Sequence, residues 1–266
     1  MAIKEYIHTG ECIWCKRKKP YVTFFTAPHI VPKSLGGTEI GFDICDDCNK
    51  YFGKCTSENK TISIDLAFKE VFNACINSLG DRAEKLMPYS SALFHYNRAE
   101  DKIKLKRSFS LSHFTYQFKR ALYEVFLQKY HQTFPDDNLD RFEFVRKFAR
   151  YGCDNPTVFF AINKMIFHFD STKDDIMLSM SEHQIDFMNR TGFYHFMFCG
   201  KHLFLEVLPI TAHSAWPKSY QEMFSSSVVP CDSECRLEKL TNIWDFDMFY
   251  TTLAPKLLYR NGKYLY

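Results

Sequence analysis

At 266 residues the chain is long enough to bury a real core, and at ~150 residues per domain it divides most simply into two unequal parts. Its composition, 46% hydrophobic and 24% charged with 27 Phe and 15 Tyr, excludes a largely disordered protein. A net charge of +3 excludes bulk charge as the means of meeting nucleic acid, and leaves that role to local runs such as "KRKK" at 16–19 and "KIKLKR" at 102–107, which otherwise read as solvated faces.

No apolar run reaches the roughly 18 residues of a membrane span, and the opening Met1-Ala2-Ile3-Lys4-Glu5 lacks the layout of a secretory signal. A cytoplasmic protein without membrane contact is expected. In that reducing compartment the ten cysteines read as metal ligands where they are paired and as packing residues where they are single. Cys55, Cys75, Cys153 and Cys199 fall in the second class, and the looser Cys231-x3-Cys235 finds no partner pair.

Residues 8–58 contain Cys12-x-x-Cys15 and Cys45-x-x-Cys48. Four thiolates suit one tetrahedral Zn2+, and a segment of ~50 residues needs such a staple because it buries too little apolar surface alone. A site closed by four cysteines leaves no position for substrate, so this zinc is read as structural. Packing cysteines or a redox pair are the alternatives. Between the pairs, "YVTFF" and "EIGFDI" read as strands on either side of "TAPHIVPKSLGG", whose Gly36-Gly37 pair permits a turn with positive φ. "CDDCNKYFG" then reads as a short helix with its acids at the favourable end of the dipole. On it Cys45 and Cys48 share a face, and Asn49 points about 100° away, toward the concave space beside His29.

The composition changes near residue 60, which divides the chain into 1–60 and 61–266. A helix is expected from near Asp65 to Gly80, with Leu66, Val71, Phe72, Cys75 and Ile76 inward. Over 112–130, Phe114, Phe118, Leu122, Phe126 and Tyr130 recur at steps of four along one side of a helix. Another is expected from about Asn138, with Phe142, Val145, Phe148 and Ala149 inward and Gly152 as its stop, packed on the one before. Beyond 155, "TVFFAI", "MIFHFD", "DIMLSM" and "FYHFMFCGKHLFLEVLP" read as an antiparallel sheet with a hairpin at Cys199-Gly200-Lys201, and a short helix is placed near Trp244 to Leu253.

A Cys-x-x-Cys pair, then "HIVPKSLGG", then "CDDCNKYFG" resembles the HNH endonuclease family, most closely its branch patterned C-x-x-C, E-H-I-x-P-x-S-L-G-G, C-x-x-C-N and a glycine four residues on. The resemblance covers about residues 12–53. It implies an α+β protein whose N-terminal zinc-stapled ββα-metal module precedes a larger region of helices and antiparallel sheet. It further implies His29 as general base, Asn49 as ligand of Mg2+ or Mn2+, zinc on Cys12, Cys15, Cys45 and Cys48, and nucleic acid, DNA first, cut to a 5′ phosphate. Lys33, Arg17 and Lys18 are the residues that would meet phosphates. Relatives of this kind with long extensions occur in mobile-element and phage-defence settings.

One position departs from the pattern: Pro28 stands where the family carries a cation-binding carboxylate. Three outcomes stay open. A neighbour such as Asp43, Asp46 or Asp47 replaces it, or Asn49 and waters suffice, or catalysis is lost and a zinc-finger binding module or a sensor remains. For residues 61–266 recognition of nucleic acid, joining of subunits and binding of a regulatory protein are equally open.

Overall fold

The structure, a computed structural model, describes residues 4–54, 62–79, 91, 94–97, 102–105, 110–162, 178–198, 201–209, 236–243, 259–260 and 263–264. The first cysteine pair lies in a tight turn, where Lys16 N donates to Cys12 O (2.8 Å), Cys12 N donates to Arg17 O (2.9 Å), and Lys16 takes φ 60°. The second pair straddles the start of helix α1 (Asp46–Gly53): Cys45 is its N-cap and Cys48 lies in its first turn.

Between the pairs the chain folds back at one antiparallel bridge, His29 to Ile40, flanked by Ile30 N to Glu39 O (3.1 Å) and Gly41 N to Pro28 O (2.8 Å). The two expected strands form no ladder. Pro28 and Pro32 remove donors on either side of the bridge, and the chain winds into a 3-10 turn at Lys33–Leu35. Gly36 ends that turn at φ 90°, as the Gly-Gly pair suggested. Gly37 is fixed by space instead, since a Cβ there would meet Val31 O at 2.0 Å.

Helix α2 (Ile64–Leu79) begins where Ser63 Oγ accepts from Leu66 N, one residue before the expected start. Strands β1 (Phe94–Asn97) and β2 (Lys102–Leu105) pair antiparallel, so the run "KIKL" is a strand. Helix α3 (Leu111–Thr133) is capped by Ser110 and buries Phe114, Phe118, Leu122, Phe126 and Tyr130, as their spacing demanded. Helix α4 (Glu143–Tyr151) follows a 3-10 turn capped by Asn138, buries Val145, Phe148 and Ala149, and stops at Gly152 with φ 70°. Edge-to-face contacts of Tyr123 with Phe148 (5.4 Å) and Phe126 with Phe142 (5.3 Å) join it to α3.

The sheet runs β4-β5-β3-β6, all antiparallel, from β3 (Val158–Ile162), β4 (Phe193–Phe198), β5 (Lys201–Glu206) and β6 (Arg236–Lys239). Strands β4 and β5 pair in register up to Phe198 opposite Lys201, although Cys199 and Gly200 themselves lie outside the described residues. Also outside are "MIFHFD", the first half of "DIMLSM" and the helix expected near Trp244; the described half, 178–180, is not a strand. Helix α5 (Glu182–Thr191), unforeseen in the sequence, packs on β4 between a Ser181 cap and Gly192 at φ 78°. A last antiparallel pair joins β7 (Tyr259–Arg260) and β8 (Lys263–Tyr264). Cys153 is exposed, against the packing role expected of it, because the chain has just left α4 at Gly152.

From Phe114 to His131 every residue of α3 except Tyr116 and Lys129 is buried, because the helix is covered on two sides. Its aromatic side meets α2, α4 and the sheet, as in the contact of Phe126 with Tyr194 (4.9 Å). Its polar residues Gln117, Arg120, Glu124, Gln128 and His131 follow one another by three or four positions and form a second stripe facing the N-terminal segment. Gln117 Nε2 donates to Ile62 O (3.2 Å), Arg120 Nη2 to Tyr51 OH (2.7 Å), and neighbouring Gln132 Nε2 to Ile40 O (3.1 Å). One buried cluster therefore contains Trp14 and Phe52 as well as Phe118 and Phe196.

Asp43 anchors that junction. Fully buried at φ 56°, it accepts from His8 N (3.0 Å), Thr9 N (2.8 Å), Thr9 Oγ1 (3.0 Å) and Gly10 N (2.9 Å), and lies 2.9 Å from His131 Nε2. Burial pushes its carboxyl up, but the hydrogen bonds from His131, Thr9, Gly10 and His8 outweigh burial and hold it well below the usual carboxylate range. A carboxyl that is more acidic folded than unfolded stabilises the fold above its unfolded value of about 3.9, and that stabilisation is lost as the pH falls through the folded value. Asp43→Asn turns an amide toward these donors, so it should cost about 3 kcal/mol at pH 7, a gap that narrows below about pH 4. Denaturant midpoints measured across pH check this, and a gap of constant size contradicts it.

Candidate active site

The Sγ atoms of Cys12, Cys15, Cys45 and Cys48 lie within 4.8 Å of one another, with Cys15 and Cys45 3.7 Å apart. Zn–S bonds of 2.3 Å in a tetrahedron place sulfurs ~3.8 Å apart, so the cluster has the dimensions of a zinc site. Supporting donors surround it: Cys45 N donates to Cys12 Sγ (3.4 Å) and Arg150 Nε, from α4, donates to Cys48 Sγ (3.4 Å). Hydrogen bonds with Cys12 and Cys48 pull the Cys45 thiol down to about 4, while those with Cys12 and Cys45, and burial, push Cys48 far up. Without a cation the four sulfurs cannot all ionise, and it is a metal that lets them do so.

Beside this cluster lies a cleft of about 520 Å3 lined by His29 and Lys33 from the folded-back segment, Asn49 and Gly53 from α1, Asp65 and Lys69 from α2, and Glu124 from α3. The bridge to Ile40 fixes the backbone of His29 at the rim. Asn49 follows Cys48 by one residue, so the sulfur cluster that holds one side of α1 turns Asn49 to the other. Gly53, one turn further, makes room for α2: a Cβ there would lie 3.3 Å from Asp65 Oδ2. Burial pushes the Asp65 carboxyl up to about 6, against a hydrogen bond with Glu124. Burial first, then the charge of Asp65, raise Glu124 well above its ordinary range, against the pull of Arg120 and of the Gln128 amide.

Residues 12–61 match the family model described as HNH endonuclease. The N-terminal segment is an HNH domain. It accounts for about a fifth of the chain and supports a nuclease or nucleic-acid-binding role. No curated protein and no solved structure matches the chain.

None of the three acids that neighbour the HNH motif faces the cleft as a substitute for the carboxylate absent at Pro28. Asp43 is engaged as described. Asp46 accepts from Thr23 Oγ1 (2.5 Å), Phe25 N (3.2 Å) and Thr26 N (2.7 Å), tying the preceding loop to α1. Asp47 lies 3.4 Å from Arg17 on the surface. The run "KRKK" is likewise matched charge for charge: Lys16 with Asp140, Arg17 with Asp47, Lys18 with Glu11 and Lys19 with Glu5. Lys33, by contrast, lines the cleft, as does Lys69, which the sequence did not single out. Asp65 was read there only as a helix start and Glu124 not at all. No described helix is long and apolar enough to cross a membrane.

Proposed function

We propose that the protein is a metal-dependent endonuclease that hydrolyses phosphodiester bonds in DNA, with residues 1–60 as the catalytic module and 61–266 controlling its targeting. The observation that carries this reading is that His29 and Asn49 line one cleft beside a four-cysteine cluster. In it, one ring nitrogen of His29 takes the proton from the attacking water, the work of a positioned general base. Asn49 offers an amide oxygen, the donor that a hard cation such as Mg2+ or Mn2+ prefers. A divalent cation held by Asn49 would supply positive charge to the phosphorane and the departing 3′ oxygen. Lys33 and Lys69 draw the phosphate backbone to the cleft without reading sequence. The zinc stays outside the chemistry and braces the segment against α1.

Supercoiled plasmid incubated with the zinc-loaded protein should be nicked in Mg2+ or Mn2+, with 5′-phosphate ends, and left intact after EDTA has removed the weakly held cation. A second reading rests on Pro28: a module that binds nucleic acid but does not cut it. It prevails if the plasmid stays closed in either cation while binding falls steeply with salt.

A further inference from the structure

A cation held by one amide and water alone is weakly held, and the family's own carboxylate position is Pro28. We propose that Asp65 of α2 and Glu124 of α3 supply the missing carboxylate oxygens, so that the cation site is completed by two helices lying beyond the HNH domain. The inference rests on the nuclease reading of the cleft and assigns the ligands that reading lacks.

Several observations converge on these two residues. Both line the cleft that contains His29 and Asn49. Asp65 reaches over Gly53, which sits four residues after Asn49 and so on the same face of α1. The carboxyl groups of Asp65 and Glu124 meet each other where both line the cleft. Arg120, the nearest guanidinium on α3, is committed elsewhere: it donates to Ala149 O (3.0 and 2.8 Å), Gln117 Oε1 (3.0 Å), Tyr51 OH (2.7 Å) and Arg150 O (3.1 Å). Glu124 is itself oriented by Gln128, whose Nε2 donates to its Oε1 (2.9 Å), while the Gln128 amide oxygen is buried without a hydrogen-bond partner. Together with Asn49 they form an all-oxygen donor set, the kind that suits Mg2+ or Mn2+.

The placement has a consequence for control. Asp65 stands in the first turn of α2, capped by Ser63, and Glu124 in the middle of α3, so the site forms only while both helices stay docked on the HNH domain.

Mn2+ binding to the zinc-loaded full-length protein, followed by titration calorimetry and by the rise in melting temperature, tests the assignment. Wild type and His29→Ala should bind Mn2+ alike, because His29 is a base and not a ligand. Asp65→Asn and Glu124→Gln should each weaken binding about 10- to 100-fold while keeping their zinc and their circular dichroism. If wild type cuts DNA and both carboxamide variants bind Mn2+ as tightly as it does, the assignment falls and the nuclease reading stands. If wild type neither binds Mn2+ nor cuts, both fall together.

Discussion

Cys45→Ala is expected to release the bound zinc and unfold the HNH domain, the largest effect on stability of any single change considered. Regular secondary structure contributes little to this segment. Among its described residues the β pairing is confined to isolated bridges at His29–Ile40 and Glu11–Lys18, and the one α-helix is eight residues long. Such a helix does not persist alone in water. Binding free energies of structural zinc are on the order of 10 kcal/mol, comparable with the whole folding free energy of a domain. Cys45 also stands at the N-terminus of α1, so its loss removes a ligand and the point at which the metal would hold the helix start. Because Trp14 and Phe52 share a core with α3, the damage should spread into residues 111–133 rather than stop at the domain edge. Metal analysis and limited proteolysis check this. A variant that keeps one zinc per chain and resists protease like wild type contradicts it.

His29→Ala should have the opposite profile, an intact fold with a cleavage rate lowered about 10²- to 10⁴-fold, the range a positioned general base contributes. The backbone of His29, not its ring, makes the bridge to Ile40, and alanine preserves that. The residue is half-buried at the cleft rim, so truncation leaves no sealed cavity and should cost under about 1 kcal/mol. A melting temperature near that of wild type combined with lost cleavage assigns the residue to chemistry. A parallel fall in both assigns it to structure.

How much of this was legible in the sequence depended on whether a feature is set locally. Two cysteine pairs define a tetrahedral site by spacing alone, and Phe114, Phe118, Leu122, Phe126 and Tyr130 define a helix face by period alone. The polar stripe from Gln117 to His131 has the same period, yet such a stripe on a helix normally faces water. Here it faces the HNH domain, the start of α2 and the end of α4, which only the tertiary arrangement decides. Glu124 belongs to that stripe and was hidden for the same reason. Asp65 was visible only as the acid at a helix start. Helix α5 carried its signals, a serine cap and a closing glycine, but the aromatic strand β4 follows Gly192 directly and dominated the reading of that segment. Asp43, Asp46 and Asp47 looked available to a cation because sequence records their proximity to the motif and not their hydrogen bonds.

The most direct test is single-turnover cleavage of plasmid DNA in Mg2+ by wild type and His29→Ala at matched zinc content. Wild type should give nicked product and the variant at least about 10²-fold less. Equal rates in the two proteins contradict His29 as the base.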